Sequence, residues 1–126
     1  MRWLLHGHLT PAVAAALVRH EHVTKNLADI GLAEESPPAE VLRAAHQHQL
    51  DLITSSDAPA GALFDDPFAF DRSIVYLNVV SGDVEQDDAV DRLFARYKRL
   101  TPGRLYTVTE SRVKVRQLPH RQGHRI

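Results

Sequence analysis

The chain has 126 residues, no cysteine and a formal net charge of −1 at neutral pH. That length suits one domain with one hydrophobic core. With 44% apolar and 25% charged residues, the composition argues against disorder, and the missing cysteines exclude a disulfide framework and thiolate chemistry. No apolar run approaches the roughly 18 residues that span a bilayer, and the N-terminus turns polar too early for a signal peptide, so a cytoplasmic protein without membrane attachment is expected. The near-zero net charge hides a division. Residues 1–91 hold five basic and fifteen acidic residues, whereas residues 92–126 hold ten basic residues and Glu110 as the single acid. Such segregation points either to nucleic acid or an acidic partner on the basic part, or to two parts that neutralise each other.

In chain order, Trp3-Leu4-Leu5 reads as a buried strand ended by Gly7. Thr10 before Pro11 is a cap followed by proline at the first helical position, and the alanine-rich stretch beyond it predicts a helix to about Arg19. His22-Val23-Thr24 predicts a short strand, followed by a loop through Gly31. Ser36-Pro37-Pro38 opens a helix over 39–48, and Leu50 to Thr54 forms a strand. Residues 57–70 mix Pro, Gly and Asp with aromatics, which suggests irregular or short helical structure. Ser73 to Val80 is the strongest strand signal, and its nearly continuous apolar character suits a parallel strand buried on both faces.

From Asp87 to Leu100, Val90, Leu93, Phe94 and Tyr97 recur at i, i+3, i+4 and i+7, an amphipathic helix stopped by Thr101-Pro102-Gly103. Two apolar–polar alternations, 105–108 and 113–116, then flank Thr109-Glu110-Ser111-Arg112 as a hairpin. Its last strand carries Arg112, Lys114 and Arg116 on one face, a candidate RNA-binding surface. The alternation of strands and helices predicts a three-layer α/β domain over residues 1–118 with a mainly parallel sheet, closed by the hairpin and followed by a loose tail, 119–126.

Ligands of open α/β sheets bind beyond the carboxyl ends of the strands. His6-Gly7-His8, Ser55-Ser56-Asp57 and the residues from Asn78 are expected at that edge, with Glu40 facing the same crevice from the second helix. In extended structure His6 and His8 share a face and could hold zinc, nickel or copper, with Asp57 as a further ligand; two hydrogen-bonded loop histidines are the simpler alternative. His20, His22, His46 and His48 sit at helix exits, where a basic side chain complements the helix dipole.

The order of these segments resembles the short bacterial PIN-like proteins related to the toxin ribonucleases of toxin–antitoxin pairs. Members open with Leu-Asp-Glu-Asn-Leu-Pro running into a helix; the counterpart is Leu5-His6-Gly7-His8-Leu9-Thr10 followed by Pro11. Further similarities are Ala28-Asp29-Ile30-Gly31-Leu32, Pro38-Ala39-Glu40-Val41-Leu42, Ile53-Thr54-Ser55-Ser56-Asp57, the strand from Ser73, and the closing Gly103-Arg104-Leu105 and Arg112-Val113-Lys114-Val115-Arg116. The resemblance implies a metal-dependent endoribonuclease fold in which carboxylates hold magnesium or manganese to activate water. The acidic positions of the family are His6, Pro38, Ser56 and Ala58 here, while Asp29 and Glu40 remain and Asp57 is one place out of register. The leading expectation is therefore a degenerate site, with RNA or a small antitoxin-type protein bound by the basic C-terminal face. The alternatives are an active ribonuclease rebuilt from His6, His8, Asp29, Glu40 and Asp57, or a non-catalytic interaction module; a homo-oligomer is open in each.

Overall fold

A computed structural model describes residues 1–119. The expected tail therefore lies outside the described residues apart from Pro119. The elements alternate: β1 (Arg2–His6), α1 (Pro11–Arg19), β2 (Val23–Lys25), α2 (Pro38–Gln47), β3 (Asp51–Thr54), α3 (Ala58–Asp65), β4 (Ile74–Leu77), α4 (Asp83–Arg96), β5 (Arg104–Val108) and β6 (Val113–Gln117). A short 3₁₀ turn, Ala28–Ile30, interrupts the loop after β2. The Thr10 hydroxyl caps α1 by accepting the Ala12 N–H, with Pro11 inside the first turn as the sequence predicts.

All six strands join one sheet in the order β2-β1-β3-β4-β5-β6. Neighbours are parallel from β2 to β5, and only β6 is antiparallel, paired with β5 through the hairpin. This confirms the three-layer α/β architecture with a mainly parallel sheet. The four-residue β4 buries Ile74, Val75 and Leu77, as its continuous apolar run requires.

Side chains alternate between two cores. On one face Trp3, Ile53, Val75, Leu77, Tyr106 and Val108 pack against α1 and α4. On the other, Leu4, Leu52, Ile74 and Leu105 pack against α2 and α3. The steps from β3 to β4 and from β4 to β5 run in the same direction along the sheet, yet α3 and α4 lie on opposite faces. The β4–α4–β5 crossover therefore has the opposite hand to β3–α3–β4, an arrangement that parallel sheets rarely use. What holds α4 beside α1 is specific: Val90, Leu93 and Phe94 share a core with Val13 and Leu17, and Arg19 pairs with Asp87 and Asp91 at 2.7 and 3.0 Å.

The bounds of α4 differ from expectation at both ends. Helix α4 starts four residues before Asp87, because Asp83 and Glu85 form its first turn and Gln86 is drawn into the interior. It ends at Arg96, since Tyr97 adopts extended backbone and packs edge-on against Tyr106. The short helical structure expected between 57 and 70 is α3, held by buried Ala60 and Leu63.

Candidate functional site

The strand order places the change of direction at β1 and β3, since α1 leads away from β1 on one face and α2 leads into β3 on the other. In doubly wound sheets that junction opens a crevice at the carboxyl ends. Here a cleft of about 1140 Å³ lies there, lined by His6, Gly7 and His8 after β1, Asn26 and Leu27 after β2, Glu34, and Ser55 and Ser56 after β3. A smaller cavity of about 450 Å³, bordered by His46, Phe70, Asp71, Gly103 and Leu118, lies at the opposite edge of the sheet. There His46 Nδ1 sits 3.2 Å from the Asp71 carboxylate but outside hydrogen-bond geometry, and the cavity lies away from the carboxyl ends where ligands of such sheets bind. The larger cleft is the candidate site.

Strand β3 ends at Thr54, whose side chain is fully buried. His6 Nδ1 and Thr54 Oγ1 are 2.7 Å apart, and the same oxygen accepts the Ser56 N–H at 3.0 Å. Either the hydroxyl donates to Nδ1, leaving the proton on Nε2, or Nδ1–H donates to the hydroxyl and Nε2 is the basic nitrogen. Burial lowers the His6 pKa below the usual histidine value, which favours the neutral imidazole. In that form it can accept a proton or make a hydrogen bond.

Gly7 makes the turn. Its φ of +86° lies in the left-handed region, and a Cβ there would stand 2.6 Å from Ser55 Oγ. This tight approach lets the His8 N–H donate to Ser55 Oγ at 2.7 Å. From α4, Gln86 closes the loop: its carbonyl accepts the Thr10 N–H at 2.7 Å and its amide donates to the His8 carbonyl at 3.1 Å. Ser56 Oγ accepts the Ala58 N–H at the start of α3. Both serine hydroxyls thus keep an O–H to offer a ligand.

The sequence-derived candidates divide here. His6 and His8 line the cleft, as expected, but do not share a strand face, because Gly7 turns the backbone between them. His8 is exposed. Asp29 accepts the Asn26 N–H at 2.8 Å, which closes a local turn beside the cleft. Glu40 stands exposed in the first turn of α2, and Asp57 is the exposed residue before α3; neither lines the cleft. Among the described residues no group of three or more His, Cys, Asp or Glu side chains is arranged to hold a metal ion. His6, His8 and Asp57 therefore do not form a ready three-ligand site.

The expected basic face is also divided. Lys114 and Arg116 share the face of Thr107 and Leu105, with the Arg116 guanidinium 4.2 Å over the Phe64 ring, whereas Arg112 precedes β6 and belongs to the turn. Of the histidines at helix exits, His20 and His48 do terminate α1 and α2. His22 instead accepts a hydrogen bond from the Trp3 indole at 2.7 Å, its ring lying nearly parallel to the indole plane.

Sequence reasoning placed Gly7 at this edge but not as its turn, and passed over Thr54 and Gln86 as parts of the site. A glycine between two histidines directly after a strand was a usable signal, and so was a threonine at a strand's carboxyl end. Gln86 gave none, being one polar residue among many in an acidic helix. No protein-family profile, curated protein or solved structure matches the chain. Among the described residues no helix is long and apolar enough to cross a membrane.

Proposed function

We propose that the protein is a PIN-like domain that has exchanged the acidic magnesium site of that fold for a crevice built on His6, Ser55 and Ser56, with Glu34 as the acid in its lining, and acts by binding RNA. The carrying observation is the lining of the cleft. His6 and Ser56, two of the four positions that resemble the family's acidic residues, line the same cleft as groups that carry no carboxylate. Magnesium coordination needs convergent carboxylate oxygens, and the two substituted positions offer an imidazole and a hydroxyl instead. Lys114 and Arg116 on one face of β6, with Arg112 in the turn before it, supply cations for phosphates, while His8, Ser55 and Ser56 offer hydrogen-bond donors in the crevice.

Retention of single-stranded RNA across a salt series tests this reading. Retention that weakens steeply with salt, and falls about tenfold or more in the triple variant Arg112→Ala, Lys114→Ala, Arg116→Ala, is expected for three lost phosphate contacts. No retention at low salt, or retention unchanged in the triple variant, contradicts it.

A further inference from the structure

We infer that the free edge of β6 is a docking site for an extended peptide segment in which apolar and acidic residues alternate, received as a seventh strand. The inference stands on the sheet's geometry and does not rest on the RNA reading.

Strand β6 is the last in the sheet, so one of its backbone edges is unpaired within the described residues. The register fixes which groups face outward. The Thr109 N–H donates to the Arg112 carbonyl and the Leu118 N–H to the Gly103 carbonyl. With the pairing Thr107↔Lys114 and Leu105↔Arg116 between them, Lys114 and Arg116 turn their backbone groups toward β5. Val113, Val115 and Gln117 must then present N–H and C=O outward, a ladder long enough for an added strand. At the other edge β2 has only three residues, too few for comparable pairing.

Side chains select the occupant. Val113 and Val115 lie on the face of Tyr106 and Val108, and Val115 remains 37% exposed beside that core. Lys114 and Arg116 lie on the opposite face, with Arg116 held over Phe64. An incoming strand therefore meets an apolar row on one side and a cationic row on the other. A second copy fits poorly. Antiparallel self-pairing centred on Val115 sets Lys114 against Arg116, centring on either basic residue sets it against itself, and parallel pairing also opposes like charges. Such charges are a common guard against edge-to-edge aggregation, and here the same guard favours an acidic strand. RNA can neutralise the two cations but cannot complete an alternating N–H and C=O ladder.

The test is fluorescence-anisotropy titration of the full chain with an eight-residue peptide alternating glutamate and valine. The expected result is saturable binding that is weakened at least tenfold in Val115→Pro, which removes one outward N–H and spares every bond to β5. The double variant Lys114→Glu, Arg116→Glu should reverse the preference toward a peptide alternating lysine and valine. Should Val115→Pro fail to fold, a peptide N-methylated at alternate residues tests the same hydrogen bonds on the unaltered protein. No binding, equal binding of a peptide with four glutamates followed by four valines, or no reversal in the double variant would overturn the inference. Val115→Pro keeps Arg112, Lys114 and Arg116, so its RNA retention separates failure of this inference from failure of the RNA reading.

Discussion

Strand β3 carries one buried polar side chain at each end, and the two are used differently. At the amino end Asp51, 3% exposed, accepts the Ser73 N–H at 2.8 Å and faces Arg72 Nη2 at 3.2 Å. At the carboxyl end Thr54 binds its own loop through Ser56 and holds His6 at the mouth of a cleft. The first cluster joins neighbouring strands inside the protein, with the Arg72 Nε left buried and without a hydrogen-bond partner. The second fixes one nitrogen of an imidazole that lines open space. Burial of a polar group does not separate structure from function; what matters is whether its hydrogen bonding ends inside the protein or reaches a cavity.

That contrast predicts unequal responses to mutation. Asp51→Ala should have the largest effect, because it strands the buried Ser73 N–H and leaves Arg72 without its carboxylate. A loss of about 3 kcal/mol, roughly 10 °C in Tm, is expected in thermal unfolding. Burial raises the Asp51 pKa against the opposing pull of Ser73 and Arg72, so Asp51→Asn, which keeps an acceptor for Ser73, should cost less. An equal loss in both variants would assign the effect to the ion pair and break the comparison.

Gly7→Ala comes next. The left-handed backbone and the 2.6 Å approach to Ser55 Oγ should together cost about 2 kcal/mol, and the strain falls on the loop that carries His6 and His8. Chemical denaturation should show the loss. A neutral Gly7→Ala would mean that the loop at the cleft is not held as tightly as these contacts imply.

The smallest effect concerns pH. Burial, with the N-terminal amine and His20 adding to it, lowers the His22 pKa to about 4. The folded state therefore binds the proton less readily than the unfolded state, whose histidine titrates near 6.5. The stability that neutral His22 confers is fully present above about pH 6.5 and is lost as pH falls toward 4. Because the ring is partly exposed, a contribution of roughly 1 kcal/mol is expected. The difference in stability between the unaltered protein and His22→Phe, followed from pH 7.5 to 4, should change in that window. A pH-independent difference would show that the Trp3–His22 bond is indifferent to protonation.

The sequence made much of this legible, for physical reasons that differ by element. Helix α1 was readable from a cap, a proline and a run of alanines, all local signals, and β4 from a continuous apolar run that suits only a strand covered on both faces. The position of α4 was not. Acids at 83, 85, 87 and 88 make several equivalent helix starts, and the choice among them depends on Gln86 reaching Thr10 and His8, more than seventy residues away. The opposite hand of its crossover is a tertiary matter with no local trace. At the site, His6 and His8 were visible as a pair, but alternation in a strand could not foresee that Gly7 would turn the backbone between them. Glu40 and Asp57 were chosen by their places at helix and strand ends and Asp29 by the family resemblance; the fold gives Asp29 a turn to close and leaves Glu40 and Asp57 exposed outside the cleft.

The central proposal is that this crevice does not carry magnesium-dependent phosphodiester chemistry. It is tested most directly by RNA cleavage with magnesium, manganese and zinc each added, alongside elemental analysis of the purified protein. The predicted result is RNA retained intact under all three conditions, with no stoichiometric metal in the protein. Metal-dependent cleavage that is lost in His6→Ala or Asp57→Ala would contradict the claim and point to a rebuilt catalytic site.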